Sequence, residues 1–362
     1  MKKCPDRLER VLLEGCCWQT ARMFKYRYGG SKAMPPHLKY QSGISIIIPA
    51  KNEAKFIGRC IDSLINQSFP GPFEIIAVDN MSTDKTREIA ISKGVKVVTS
   101  DANSPAAVRN LGASVAIHSI LAFIDGDCVA PQNWLKNGYH SLSKHSSIGA
   151  CGGPCKVPND ANWIVKAWSP EIEDKAEFKK ESMLPGANII LPRLIFDSIG
   201  GFNEALITAE DDDLCVRIKK KGFDIIWDGR NIVTHHGYPD SLKAVFFKAM
   251  WHATYQLSAL SFWKNKIAML TVFWFLSFII TITSLLHGPR FLLYISLFGF
   301  ILAPALLAFS RTKRLVLFQL FKVFALTYIV SFIVLLGRTS ALLSGGCALI
   351  QGFLMKNSKI LV

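Results

Sequence analysis

The stretch ISIIIPAKNEAKFIGRCIDSL, residues 44–64, decides which fold the chain is expected to adopt. It opens with a run of isoleucines interrupted only by Ser45, passes through a short polar turn, and ends in a segment whose apolar side chains recur at helical spacing. Because the first run does not alternate with polar residues, both faces of that strand are expected to be buried. The stretch therefore predicts a strand-turn-helix unit of an α/β domain.

The same unit recurs further along the chain. Strands are predicted at 73–78, 95–99 and 120–124, with helices at 84–93 and 105–117 between them. This alternation predicts a Rossmann-like, mainly parallel sheet with helices on both faces. The pattern loosens after residue 150, where the remaining predicted elements are a strand in ANIIL and helices near 192–198 and 209–221.

Charge divides the chain into regions. The net charge is +15, yet residues 1–42 hold nine Lys and Arg against three acids, and residues 241–362 hold twelve and no acid, which leaves 43–240 slightly acidic. Basic, apolar flanks around an acidic domain are typical of a protein held against an anionic membrane, and they argue against a nucleic-acid partner. The predicted regions are a basic N-terminal arm at 1–42, an α/β domain at 43–240, an amphipathic interfacial segment at 241–266 and a membrane region at 267–362.

The membrane region contains three long apolar segments, 267–287, 291–310 and 315–337. Segments of roughly 20 apolar residues span a hydrocarbon layer. The third segment contains the charged residue Lys322 and is therefore a weaker candidate for crossing the membrane. Two and three crossings both stay open. The flanking Lys and Arg predict a multi-pass protein of the cytoplasmic membrane whose folded domain faces the cytoplasm. The Lys- and aromatic-rich segment 242–263 is expected to lie in the membrane interface, with a buried soluble helix as the alternative.

The strand at 120–124 ends in two carboxylates. In LAFIDGDC, residues 121–128, Asp125 and Asp127 project to the same side because alternate residues of an extended chain do so. Two close carboxylates without a neighbouring Lys or Arg attract a divalent cation, and hard oxygen ligands suit Mn²⁺ or Mg²⁺. A surface DGD turn without a metal is the alternative.

Other strand ends and helices add polar groups. Asp79 follows the second strand, where acidic residues of Rossmann-like domains accept hydrogen bonds from a nucleobase or ribose. Asn52 and Glu53 follow the first strand, and capping of the next helix is an alternative role for them. Arg109 is a cation on a helix that is otherwise poor in charge, and pairing with an aspartate or with a ligand diphosphate are both open.

Six motifs, taken in order, resemble those of glycosyltransferase family 2, whose members have the GT-A fold. The motifs, which span about residues 43–237, are SIIIPAKNEAKFIGRCIDSL, EIIAVDNMSTDKT, AAVRNLG, LAFIDGDC, PGANIILPRLIFDSIGGFNE and AEDDDLCVRIKKKGF. The resemblance implies that a nucleotide-diphosphate sugar, a UDP- or GDP-sugar, binds at the strand ends. It also implies that a divalent metal at DGD bridges the phosphates and that a carboxylate of AEDDDL acts as a base.

The resemblance also implies a role for individual residues. Asp211 is the expected catalytic base, with Asp212 as the alternative, and His235 or the adjacent His236 is expected to complete the metal site. Thr208 followed by Asp211 also resembles a capping box, which is the non-catalytic interpretation. The expected metal ligands are Asp127, Asp125 and His235, and the residues expected to bind the donor are Pro49, Ala50, Asn52, Glu53, Asp79, Arg109, Asp125 and Gly126.

The implied reaction is a single displacement at the anomeric carbon, which inverts its configuration. Processive synthases that resemble this chain carry a QxxRW motif after the base. This sequence lacks that motif, which favours transfer of a single sugar over polymerisation. The membrane segments favour a lipid-linked or glycan acceptor, in cell-surface polysaccharide or glycolipid synthesis. Two other functions stay open: a metal-dependent nucleotidyltransferase, for which the first strand lacks a glycine-rich loop, and a catalytically decayed membrane scaffold.

Overall fold

A computed structural model describes residues 43–169, 178–257, 266–312 and 317–343, so the predicted N-terminal arm lies outside the described residues. Within these ranges the strands are β1 (Ile44–Ala50), β2 (Phe73–Asn80), β3 (Lys96–Ser100), β4 (Ile120–Phe123), β5 (Cys128–Val129), β6 (Ile148–Gly152), β7 (Cys155–Lys156), β8 (Phe178–Lys180), β9 (Ile189–Pro192), β10 (Asp224–Asp228) and β11 (Val233–His235). The helices that surround them are α1 (Ile57–Ile65), α2 (Thr86–Ser92), α3 (Pro105–Ser114), α4 (Trp134–Ser143), α5 (Trp163–Trp168), α6 (Arg193–Ser198) and α7 (Glu210–Lys220).

The central sheet has the strand order β3-β2-β1-β4-β9-β6-β10-β8. The first four strands of this order are mutually parallel, as the alternation of strands and helices predicts. Ala50 pairs with Asp79 across β1 and β2, and Ile47 pairs with Phe123 across β1 and β4. The carboxyl ends of three strands therefore meet at one edge, where ligands of open α/β sheets bind.

The second half of the sheet is mixed. Strand β9 runs antiparallel to both β4 and β6, and β8 runs antiparallel to β10. A small second sheet of order β5-β11-β7 pairs His235 with Cys128. This pairing brings a histidine that is remote in sequence next to the DGD motif.

The continuous apolar run of β1 is explained by burial on both faces of the sheet. Ile46 and Ile48 pack with Ile61 of α1 on one face, and Ile47 packs with Phe123 on the other. All five side chains are fully buried. Burial of each contributes about 1.5–3 kcal/mol relative to exposure, so this strand anchors both layers.

Four further helices follow the sheet: α8 (Leu242–Leu257), α9 (Lys266–His287), α10 (Arg290–Thr312) and α11 (Leu317–Leu343). Helices α9, α10 and the Phe324–Ala341 part of α11 are long and apolar enough to cross a membrane, which agrees with the three predicted apolar segments. Half of that part of α11 is buried, against 22% for α9, so α11 is the inner helix of the group.

Helix α8 packs closely on α11. A Cβ atom at Gly337 of α11 would collide with the backbone oxygen of Phe246, so the two helices approach each other at a glycine. Val245 and Ala249 of α8 share an apolar cluster with Val334. Helix α8 thus lies between the apolar helices and the α/β domain, and its predicted location in a membrane interface stays a prediction.

Candidate active site

A cavity of about 650 Å³ opens at the carboxyl ends of β1 and β4. Most of the predicted site residues line it: Pro49, Ala50, Glu53, Arg109, Asp125, Gly126, Asp127, Asp211 and His235. Asn52 and Asp79 are not among the residues that line it, whereas Asn80, which the sequence carries in place of a second acid, is. The fold therefore gathers the strand-end motifs, the DGD motif and the AEDDDL motif around one space.

Arg109 of α3 links two of these motifs. Its Nη2 atom donates to Oδ1 of Asp125 and its Nη1 atom donates to Oε1 of Glu210, each at 2.7 Å, and the side chain is 5% exposed. Burial lowers the pKa of Arg109, but the charges of Asp125 and Glu210 raise it by more than burial lowers it. The guanidinium is therefore charged. Of the two interpretations open from the sequence, pairing with an aspartate is the one the structure contains.

Asp127 and His235 face each other. The His235 Nε2 atom lies 3.6 Å from Oδ1 of Asp127, and His235 Nδ1 is buried with no hydrogen-bond partner among the described residues. The Cys128 thiol completes a cluster whose ligand atoms lie within 4.8 Å of one another. Burial and the Asp127 charge raise the pKa of Cys128, so the thiol stays protonated and is a poor ligand for a hard cation.

The structure distinguishes the two adjacent histidines. The His236 ring stacks on Phe56 with a centroid separation of 5.7 Å, and its backbone N–H donates to the carbonyl oxygen of Asp127. His236 is not among the residues that line the cavity, whereas His235 lines it beside the carboxylate of Asp127.

Gly237 makes room for this arrangement. A Cβ atom at this position would collide with the Asp127 carboxylate, so Gly237 is required by close approach. The sequence analysis missed this residue, although its place directly after the His235-His236 pair is a signal that could have drawn attention to it.

Glu53 is a third carboxylate at the same end of the cavity. It is 6% exposed, and burial together with the charges of Asp127 and Asp125 raises its pKa to about 8. The capping interpretation is wrong, because α1 has no side-chain cap and only the Glu53 backbone carbonyl accepts from its first turn. Glu53 is therefore mostly protonated at about pH 7, because Asp125 and Asp127 already concentrate negative charge at this end of the cavity, and a cation would offset that charge.

Asn52 and Asp79 organise the loops behind the cavity. Asn52 has a φ of 59°, and its Oδ1 atom accepts from the Thr83 backbone N–H at 2.8 Å. Asp79 is 4% exposed, and its Oδ1 atom accepts from the Ser82 backbone N–H. Their predicted contacts with the donor stay predictions, since both side chains are engaged with the loop after β2.

Asp211 stands at the start of α7. Its Oδ2 atom accepts from the Gly186 backbone N–H at 2.8 Å, which fixes the carboxylate in the cavity wall. The capping-box interpretation is wrong: Ala209, at a φ of 61°, precedes the helix without a side-chain cap, and the buried Thr208 hydroxyl has no partner in the described part of the chain.

The other acids of AEDDDL have different surroundings. Glu210 pairs with Arg109, and Asp213 pairs with Arg217 at 2.7 Å, outside the cavity. Asp212 does not line the cavity, and burial together with Asp211 and Glu210 raises its pKa to about 7. Of Asp211 and Asp212, only Asp211 is placed to meet a ligand.

Sequence reasoning missed one wall of the cavity altogether. Lys248, Trp251 and His252 of α8 line it, although their segment was predicted to lie in a membrane interface. Burial lowers the pKa of Lys248, and the charges of Asp127 and Asp125 oppose that shift. No local pattern marks these residues, because their position depends on how α8 docks.

Residues 45–200 match the sequence model of the family described as Glycosyl transferase family 2. The chain contains a glycosyltransferase family 2 domain. This domain supplies β1 to β4, the DGD motif and Arg109, whereas Asp211, His235 and the wall contributed by α8 lie beyond the matched residues.

Named relatives agree with this assignment. Glycosyltransferase AglE of Haloferax volcanii is 28% identical over 206 residues, which are 54% of this chain and 67% of that protein. A Methanococcus voltae protein named dolichyl N-acetyl-alpha-D-glucosaminyl phosphate 3-beta-D-2,3-diacetamido-2,3-dideoxy-beta-D-glucuronosyltransferase is 26% identical over 222 residues, which are 55% of this chain and 68% of that protein. Two further relatives are matched over only 24% and 26% of their own length.

The fold is that of mannosyltransferase PcManGT from Pyrobaculum calidifontis, solved in complex with GDP-Man and Mn²⁺. The TM-score is 0.54 at 18% identity, with 92% of this chain and 97% of the other covered. The family 2 domain and this likeness together show the predicted α/β GT-A fold, to which the three apolar helices are added.

Proposed function

We propose that this protein is an inverting, non-processive glycosyltransferase that moves one sugar from a UDP- or GDP-sugar to a lipid-linked or glycan acceptor at the cytoplasmic face of a membrane. The family 2 domain supports the reaction class. The observation that carries the proposal is that Asp211 and Asp127, from separate elements, line one cavity. In this proposal Asp211 accepts the proton of the acceptor hydroxyl, Asp127 binds a cation, and both side chains line the same cavity.

The proposed cofactor is Mn²⁺ or Mg²⁺, held by Asp127 with His235 and Asp125. Oxygen and nitrogen donors suit these ions, and the orphaned ring nitrogen of His235 and the neighbouring carboxylates of Asp125 and Asp127 fit a cation. One oxygen of Asp125 accepts from Arg109, so Asp127 is the principal ligand in this proposal. When bound, the metal supplies positive charge that stabilises a departing diphosphate.

Asp211 is the proposed base. The Gly186 N–H holds one of its oxygens, which orients the carboxylate toward the cavity. In the proposed reaction this carboxylate takes the proton of the acceptor hydroxyl while the hydroxyl oxygen attacks the anomeric carbon. The bond from that carbon to the diphosphate breaks in the same displacement, so the configuration inverts.

The proposed acceptor and membrane location rest on the helices beyond the domain. Helices α9 and α10 expose large apolar side chains such as Phe273 and Phe298, which suits contact with lipid. The name of the Methanococcus voltae relative gives a dolichyl phosphate-linked substrate, which supports a lipid-linked acceptor here. The basic residues that flank these helices support a cytoplasmic orientation.

The test is donor turnover by the full chain in membranes, with radiolabelled UDP- and GDP-sugars and Mn²⁺. Asp211→Asn is expected to lower turnover by about 10²–10⁴-fold, because a general base contributes about that much. Asp213→Asn is the matched control, since Asp213 lies two residues further along α7 and outside the cavity, so this change is expected to leave turnover unchanged.

The distribution of label tests the acceptor. Label is expected in the organic phase after partition, as a glycolipid would place it. Unchanged turnover in Asp211→Asn would contradict the assignment of the base, and label that stays wholly in the aqueous phase would contradict a lipid-linked acceptor.

A further inference from the structure

One wall of the cavity is cationic and comes from outside the family 2 domain. Lys248 and His252 lie one helical turn apart on α8, and both line the cavity that holds Asp127 and Asp211. The Lys248 charge interacts most with Asp127, then with Asp125 and Glu53, so its ammonium group lies near the acidic end.

A second cationic side chain lies near His252, whose own ring is neutral. Burial, followed by the charges of Lys248 and Arg338, lowers the pKa of His252 to about 3, so both cations are near its ring. Arg338 belongs to α11, in the part long and apolar enough to cross a membrane, and is 6% exposed. Lys248, His252 and Arg338, here called the cationic seam, lead from the acidic end of the cavity to the apolar helices.

The acids offset part of the Lys248 charge, but Lys248 and Arg338 both act on the ring of His252, and a bound anion would lower the repulsion between these two cations. Two positive charges that flank one imidazole repel each other at low dielectric, and burial of each lowers its solvation. Phosphate oxygens accept hydrogen bonds from ammonium and imidazole groups. The seam also ends where an apolar chain attached to a phosphate would find lipid-facing helices.

We propose that Lys248 and His252 form a binding subsite for the phosphate group of a lipid-linked acceptor, with Arg338 adding positive charge from the membrane side. This inference rests on the proposed function and names the anionic group of the acceptor. The same chemistry would also suit the donor diphosphate, so the test separates the two sources.

Binding to the purified full chain in detergent tests the subsite without relying on turnover. The probes are farnesyl phosphate, farnesol and inorganic phosphate, with UDP and GDP in the presence of Mn²⁺ as donor-side probes. Farnesyl phosphate is expected to bind about tenfold or more tightly than farnesol, since a hydrogen bond to a charged group contributes that much in affinity. It is also expected to bind more tightly than inorganic phosphate, because only farnesyl phosphate has an apolar chain to bury.

Substitutions then assign the effect to the seam. Lys248→Met is expected to remove the preference for farnesyl phosphate over farnesol, Lys248→Arg to retain it, and nucleotide affinity to stay unchanged in both. Lys243→Met is the matched control, because Lys243 lies on the same helix but is exposed, and it is expected to behave as the native chain.

Two results would overturn the inference. Equal affinity of the native chain for farnesyl phosphate and farnesol would show that the phosphate is not recognised. Loss of nucleotide affinity in Lys248→Met, with the farnesyl phosphate preference kept, would assign Lys248 to the donor diphosphate instead. Donor turnover in Asp211→Asn is measured separately, so failure of the subsite leaves the proposed function standing.

Discussion

The two walls of the cavity differ in charge and in origin. The acidic wall, formed by Glu53, Asp125, Asp127, Glu210 and Asp211, comes from strand ends and from the start of α7. The cationic wall comes from α8, which is not part of the matched domain. Strand-end acids occur together in recognisable motifs, whereas the cations depend on docking of a helix.

The largest expected effect concerns Arg109, the arginine that pairs with two carboxylates of the acidic wall. Arg109→Met removes the cation between Asp125 and Glu210, and leaves the buried carboxylate of Glu210 and the half-buried carboxylate of Asp125 without their partner. Breaking a buried pair in this way costs about 3–5 kcal/mol, so we expect a clear fall in the thermal unfolding midpoint.

Lys93→Met is the control for this change, because Lys93 pairs with Asp62 on the exposed surface. Exposed pairs contribute about 0–1 kcal/mol. If Arg109→Met proved as mild as Lys93→Met, the acidic wall would not depend on its internal cation.

The next effect concerns the space beside Asp127. Gly237→Ala places a methyl group against the Asp127 carboxylate and forces it to move. Changes to groups that orient a metal ligand cost about 10–100-fold in affinity, so we expect Mn²⁺ binding, measured by calorimetry with nucleotide present, to weaken by that factor.

Gly58→Ala, a change within α1, is the matched control. A Cβ atom at Gly58 would meet Ile89 of α2 only at an ordinary contact distance. Gly58→Ala is expected to leave Mn²⁺ binding unchanged. Full Mn²⁺ affinity in Gly237→Ala would show that the site does not use Asp127 in this position.

The smallest effect concerns the acid just outside the cavity. The raised pKa of Asp212, about 7, arises from burial and from Asp211 and Glu210. A folded-state pKa above the unfolded value means that the folded protein loses stability as the pH rises from about 4 through about 7. Because Asp212 is half-exposed, we expect Asp212→Asn to stabilise the chain by about 1 kcal/mol at about pH 8 and not at about pH 4.

Unfolding midpoints at the two pH values measure this difference. Asp213→Asn, which weakens the pair with Arg217, is expected to show no such gain at the higher pH. A stabilisation by Asp212→Asn that is equal at both pH values would contradict a charge effect.

Local patterns in the sequence were sufficient for the first half of the fold. The apolar runs at 44–48 and 120–124 gave parallel strands, and Asp125 and Asp127 were located at a strand end, because burial on both faces and side-chain alternation are properties of neighbouring residues. The antiparallel insertion of β9 between β4 and β6 was not predicted, since strand pairing joins residues far apart in the chain.

Within the site, the acids could be named from the sequence because each follows a recognisable strand or begins a recognisable helix. The choice of His235 over His236 required the pairing of β11 with β5, and the need for glycine at position 237 required the position of the Asp127 carboxylate. Lys248 and His252 joined the cavity only through the packing of α8 on α11. The sequence by itself determined where carboxylates end strands, while the tertiary structure decided which distant side chains meet them, because such meetings depend on packing between elements and not on spacing along the chain.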